Sequence, residues 1–313
     1  ERCPEGMALL DRELKLDEQH HSPTLQRMVS LAGSVAPFEK ASELLWEIGT
    51  ITISGQTVEG MTETVGERVE KWMQRRQQEA ILGIGRPEGV TPRRLYVEAD
   101  GTTVPMKAER ISGEEEAQSR RSQGQRTPGK VEYKEVKLGA IFDATVDENG
   151  KPQIGKKTYT GTFEDAEACV RQVKAEAKAR GSEGAEEIVL LSDGGGWLWN
   201  RLPEAFEGKK QTQILDWCHP SERLGQMAKL VFGEATPEAV KWADRLRGLQ
   251  YEGHTTQVLE EIEALRPKTP EAKEFLRQSV GYFREHAHRM NYGELRAQGY
   301  FIGSGVIESA CKH

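Results

Sequence analysis

The chain is short of the features that would settle its class at once. Its four cysteines, Cys3, Cys169, Cys218 and Cys311, are scattered, and none forms a C-x-x-C pair. That spacing argues against both a disulfide framework and a closed zinc site. Cys3, in Arg2-Cys3-Pro4-Glu5-Gly6, fits one corner of a clipped zinc knuckle, but a single ligand does not establish a metal site. No apolar run approaches about 18 residues, so no membrane span is readable. No charged segment followed by an apolar one opens the chain, and the expectation is a cytoplasmic protein. Positive charge is not in excess either: 43 Lys and Arg against 50 Asp and Glu leave a net charge of −7. A generally basic nucleic-acid binder is therefore excluded, because cations that neutralise phosphates supply most non-specific affinity. Basic residues cluster only locally, at Lys71, Arg75 and Arg76, at Arg93-Arg94, and from Arg284 to Arg289. Gly83-Ile84-Gly85 has no strand before it and Pro87 just after it, so it is not a nucleotide fingerprint.

What remains is a chain of 313 residues, long enough for two or three structural units or one large domain with an insertion. Residues 1–90 read as an N-terminal helical domain, with apolar residues three and four apart in Thr24 to Leu31 and Phe38 to Ile48. Ala41 to Ile48, the Gly49 turn and Thr57 to Val65 have the length of a helix-turn-helix, with Ser54 as N-cap. Such a pair is either a DNA-reading unit or plain packing. After the linker the period changes. Leu95-Tyr96-Val97 leads to Asp100, Glu132 to Val146 alternates as a long strand, and Lys157 to Gly161 reads as a third. The polar stretch from Gly113 to Lys130 reads as a mobile loop. Thr162 is the expected N-cap of a helix to Ala179, Ile188 to Ser192 is a fourth strand, Trp197 to Phe206 a short helix, and Gln213 to Trp217 a fifth strand. The order β-β-β-α-β-α-β over residues 91–218 predicts an α/β fold with a mixed sheet flanked by helices. Residues 219–298 read as an all-α insertion, and residues 299–313 as the start of a last helix that stops abruptly, so a truncated fragment is expected.

Three acids carry the chemistry. Asp100 in Ala99-Asp100-Gly101 and Asp193 in Leu191-Ser192-Asp193-Gly194 each close an apolar run before glycine, as carboxylates at the carboxyl ends of buried strands do. Glu308 stands at the start of the last helix. Brought together, the three make an oxygen-lined site suited to Mg²⁺ or Mn²⁺, and hence to phosphoryl transfer on nucleic acid. Each also has an ordinary reading: an aspartate before glycine is a common turn residue, and an acid in a first helical turn is favoured by the helix dipole.

At this point the sequence resembles a known group. Asp100-Gly101-Thr102-Thr103-Val104, Tyr159-Thr160-Gly161-Thr162-Phe163, Ser192-Asp193-Gly194-Gly195-Gly196-Trp197 and above all Gly299 to His313 are similar to the ISKra-type insertion-sequence transposases of bacteria. Asp216-Trp217-Cys218-His219 matches the "Cys or Asp, two residues, His" signature of several transposase superfamilies. The resemblance implies a ribonuclease H-like core and a DDE triad of Asp100, Asp193 and Glu308 holding two metal ions, with Asp100 bridging them. It implies cleavage and strand transfer of DNA at transposon ends and target, by a homodimer or higher oligomer in the cytoplasm at the nucleoid. Relatives begin with a cysteine-rich segment and continue past Lys312-His313 into a basic tail, so the alternatives are an inactive DNA-binding relic or a ribonuclease H-like nuclease that cuts without joining.

Around the triad, Asp216 and His219 are expected either to orient a ligand or to be hydrogen-bonded in the core. Trp197 is placed to stack on a flipped base or to fill the core. Arg284, His288 and Arg289 are candidate phosphate contacts or a solvated helix face. Ser304, among glycines, is a candidate to offer backbone N–H groups to a phosphate.

Overall fold

A computed structural model describes residues 21–84, 91–107, 131–148 and 151–312. Cys3 and the stretch from Gly113 to Lys130 lie outside the described residues. The chain divides into two compact units, Glu1–Glu79 and Ala80–Lys312.

The first unit is helical. Helix α1 (Pro23–Val35) starts where Ser22 accepts a hydrogen bond from the Leu25 N–H at 3.2 Å, with proline in the first turn. Helix α2 (Phe38–Gly49) ends on Thr50, whose φ of 51° turns the chain sharply. Helix α3 (Gly55–Ile81) follows Ser54, which accepts from the Thr57 N–H at 3.1 Å as a cap should, and it is far longer than a recognition helix needs. Val29, Ala41, Leu45, Val58 and Met61 form the buried core of this unit.

The second unit is built on one five-stranded sheet in the order β3-β2-β1-β4-β5. Strands β1 (Arg94–Lys107), β2 (Val131–Val146) and β3 (Pro152–Thr162) are an antiparallel meander. Strands β4 (Glu187–Ser192) and β5 (Gln211–Leu215) run parallel to β1. The sheet is thus mixed, with β4 entirely buried, as its unbroken Ile-Val-Leu-Leu run requires.

Helix α4 (Ala166–Ala179) covers β2 and β3 with Cys169, Val173 and Ala177, spaced four apart. A Cβ on Gly139 would lie 2.3 Å from Val173, so this close approach needs glycine in β2. The cap of α4 corrects the sequence reading. Asp165, not Thr162, accepts from the Ala168 N–H at 2.8 Å, while Thr162 ends β3.

Two short helices, α5 (Gly196–Trp199) and α6 (Leu202–Ala205), replace the single one expected after β4. Helices α7 (Cys218–Phe232), α8 (Pro237–Tyr251), α9 (Thr255–Ala264), α10 (Pro270–His286) and α11 (Tyr292–Ala297) follow β5. Thr236 and Thr269 cap α8 and α10 ahead of Pro237 and Pro270. The chain then returns to the sheet, and helix α12 (Gly305–Lys312) packs on β1 and β2. Gly139 pairs with Ala99, so α4 lies on the sheet face shared by those two residues, and α12 lies on the face of Glu98.

Candidate carboxylate centre

Parallel strands open a crevice at their carboxyl ends, and here two successive ends, those of β4 and β5, are each followed by an aspartate. Asp193 follows the last residue of β4, and Asp216 follows the last residue of β5. Asp100 differs from the expected strand end. Strand β1 continues through it to Lys107, paired with β2 at Asp100↔Leu138, but its pairing with β4 stops at Glu98↔Leu191. Asp100 therefore stands two positions beyond the last residue of β1 that pairs with β4.

A pinned segment delivers the fourth acid. Tyr300 donates to both carboxylate oxygens of Glu187 at 2.9 Å, beneath the Arg94 guanidinium, 3.8 Å from the Tyr300 ring centroid. The Phe301 N–H donates to the Tyr96 hydroxyl at 3.0 Å, and the Phe301 ring meets Tyr96 and Phe142 edge-on. The Trp217 N–H donates to the Ile302 carbonyl at 3.0 Å, and the Ser304 N–H to Asp216 Oδ1 at 2.7 Å. Helix α12 begins there, with Glu308 in its first turn.

Among the described residues Asp100 lies near Asp193, whereas Glu308 comes to ligand distance of Asp216 and Cys218 rather than of those two. Burial, and after it the charge of Asp193, holds the Asp100 carboxyl above its ordinary range. Cys311, one turn beyond Glu308 on α12, lies 3.6 Å from Asp100 Oδ2. Ligand atoms of Asp216, Cys218 and Glu308 all lie within 4.8 Å of one another. Burial pushes the Cys218 thiol up to about 11 and the Cys311 thiol up to about 12, so neither is a thiolate near neutral pH. The donors left are carboxylate oxygens, a hard set that fits Mg²⁺ or Mn²⁺ better than zinc.

Asp216 and His219 form a pair. His219 Nδ1 lies 2.7 Å from Asp216 Oδ2, and the His219 N–H also reaches that oxygen. The hydrogen bond to Asp216 raises the imidazole to about 9 against the opposing effect of burial. Burial alone would raise the Asp216 carboxyl, but the His219 hydrogen bond and charge and the Ser304 N–H outweigh it, and the net shift is downward. A charged His219 thus faces Asp193 and Asp100 across the crevice.

The candidate DNA contacts fare differently. Ser304 is buried, its N–H given to Asp216 and its hydroxyl hydrogen-bonded to the Glu308 carboxylate, so it offers nothing to a phosphate. Arg284 is paired with Glu263 at 2.8 Å. Arg289 donates to Gln213 at 2.9 Å and stacks over Trp199, 4.2 Å from the ring centroid. His288 is exposed on a short 3₁₀ turn. Trp197 packs half-buried against the core.

The residue that the sequence reading passed over is Glu98. It is fully buried, two positions before Asp100 and so on the same face of β1. Its Oε2 accepts the Ile307 N–H at 2.8 Å, one of the first-turn donors that a helix cannot satisfy internally. This frees the Ser304 hydroxyl, which would ordinarily serve as the cap, to hold Glu308. Glu98 Oε1 has no hydrogen-bond partner among the described residues. Burial first, then the charges of Asp216, Glu308 and Asp100, push the Glu98 carboxyl well above its ordinary range.

The second unit is therefore a mixed α/β domain, a five-stranded sheet with helices on both faces and an acid-lined crevice at the ends of its parallel strands. Among known proteins the chain is similar to a "UPF0236 protein in vanSb 3'region" of Streptococcus gallolyticus, 24% identical over 310 residues. The match takes in 96% of this chain and 59% of that protein, so the chain spans well under two thirds of its relative. No family profile matches the chain.

Proposed function

We propose that the second unit is a ribonuclease H-like catalytic core of a DDE-type DNA transposase, of the ISKra kind that its motifs resemble. One observation carries the reading: a mixed sheet in the order β3-β2-β1-β4-β5 sets Asp100, Asp193 and Asp216 at neighbouring positions, and a helix far along the chain adds Glu308 beside them. Asp100, Asp193 and Glu308 would hold two Mg²⁺ or Mn²⁺ ions. Cations held there would supply charge neutralisation at the reacting oxygens of a phosphodiester. The unpartnered Glu98 oxygen and the crowding of carboxylates fit a centre that gains from a cation.

The other residues act on the ligands. Asp216 fixes the start of α12 through the Ser304 N–H, and His219 holds Asp216 in place. Ser304 orients the Glu308 carboxylate, and Glu98 caps the helix that carries it. DNA is the partner of this reading, with the protein acting as a dimer or higher assembly on it.

The test is Mn²⁺-dependent cleavage of duplex DNA by the wild type and by Asp193→Asn. The substitution is expected to abolish cutting while leaving the melting curve in place. Wild-type cutting by the variant would refute the triad, and cutting without any joined donor-target product would favour a nuclease over a transposase.

A further inference from the structure

We propose that Arg223, stacked on Tyr282 beside Asp193, is the seat for a DNA backbone phosphate next to the carboxylate centre. The inference rests on the functional reading above and names where that reading's substrate is gripped. An acid-lined crevice repels a polyanion, so a nucleic-acid substrate needs fixed positive charge at its rim. The arginines singled out in the sequence do not supply it, because Arg284 pairs with Glu263 and Arg289 is turned to Gln213 and Trp199.

Arg223, by contrast, gives a side-chain hydrogen bond only through Nη1, to Ser279, among the described residues. It lies on α7 four residues after His219, hence on the same helix face, one turn farther out from the acids. The side chain is half-buried, and among the described residues no carboxylate pairs with it. Its Nη1 donates to Ser279 at 3.3 Å, which leaves most of its donors unused. The guanidinium stacks 4.5 Å from the Tyr282 ring centroid and 5.4 Å from that of Phe275, an arrangement that fixes its plane in advance.

Tyr282 ties this cation to the centre. Its ring lies so close to the turn after Asp193 that a Cβ on Gly194 would stand 2.3 Å from Cε2. Its hydroxyl is buried without a hydrogen-bond partner among the described residues. A planar guanidinium matches two oxygens of a phosphodiester, and the donors of Arg223 not used by Ser279 are the ones such an anion would take.

The experiment measures binding of a short fluorescein-labelled duplex by anisotropy across a salt series, in EDTA, for the wild type, Arg223→Gln, Arg223→Lys and Arg284→Gln. Arg223→Gln should weaken binding about tenfold and lower the slope of log affinity against log salt by about one. Arg223→Lys should keep the slope and lose part of the affinity, and Arg284→Gln should bind as the wild type does. A melting curve for each variant separates lost contact from lost fold, and the lysine variant carries the test if the glutamine variant unfolds. Inorganic phosphate, titrated as competitor, should displace the duplex only at concentrations far above that of the DNA; displacement at equal concentration would identify a small-anion site and overturn the proposal. Unchanged affinity and slope in Arg223→Gln, or a wild type that binds no duplex, would also overturn it. Mn²⁺ titration of the same proteins keeps the two readings apart: Arg223→Gln should bind Mn²⁺ as the wild type does, and a wild type that binds none would refute the metal centre while leaving the DNA result to stand.

Discussion

Replacing Glu98 by glutamine tests how this centre is held together. The glutamine carbonyl still accepts the Ile307 N–H, so the cap on α12 survives, while the ionisable group beside Asp100, Asp216 and Glu308 is removed. The folded carboxyl titrates above its ordinary value, so its contribution to stability is fully present below the unfolded value of about 4.5 and is lost as pH rises through the folded one. Each unit by which the folded value exceeds the unfolded one withdraws about 1.4 kcal/mol once pH has passed both. Glutamine has no such loss. Thermal melts of wild type and Glu98→Gln from pH 4 upward should therefore diverge, with the variant gaining relative to the wild type as pH rises and the gap levelling above the folded pKa. Glu98→Ala should share that pH trend but lie about 1–3 kcal/mol below Glu98→Gln at every pH, because a buried helix N–H is left without an acceptor. A pH-independent difference between wild type and Glu98→Gln, or an alanine variant as stable as the glutamine variant, would refute the description of Glu98 as a buried helix cap under electrostatic load.

Two further outcomes follow from the same contacts. The His219 imidazole titrates at about 9 in the folded chain against 6.5 when free, so its contribution is complete below 6.5 and disappears as pH rises through about 9; wild-type stability should fall across that window, and His219→Gln should flatten the fall in a pH series of denaturant melts. Gly194→Ala drives a Cβ into the Tyr282 ring and should cost about 1–3 kcal/mol by overpacking, read as a lower urea midpoint, with no effect if the ring can step aside.

Much of the architecture was legible because local pattern and tertiary position agree. The Ile188 to Leu191 run ends in Asp193, and the chain has nowhere to put four consecutive apolar residues except the middle of a covered sheet. Pro237 and Pro270 mark helix starts for the same local reason. Asp100 is expected at a strand end because glycine follows it, yet β2 pairs with both residues and carries the strand onward. Glu98 escaped notice because Leu95, Tyr96, Val97 and Ala99 are all buried, so both faces of β1 are covered and alternation no longer tells an inward acid from an outward one. The roles of Ser304, Arg284 and Arg223 were hidden by distance in sequence. Which cation finds a carboxylate and which does not depends on Glu263, Asp216 and Tyr282, residues that only the fold brings near.

The Trp217 N–H bonded to the Ile302 carbonyl places the departure and return of helices α7 to α11 at a single point of the sheet. The whole excursion is thus one closed loop, and the entropy of closing a loop grows only as the logarithm of its length, about 0.6 kcal/mol for each doubling. Residues added or removed at the turn between α9 and α10 would leave Asp216 and Ser304 still joined at its neck, whereas the turn between α8 and α9 lies by the neck, with the Tyr251 ring packed 5.1 Å from the Trp217 ring. The neck rather than the loop's size holds Asp216 against the start of α12, so a change of length between α9 and α10 is expected to leave this contact in place.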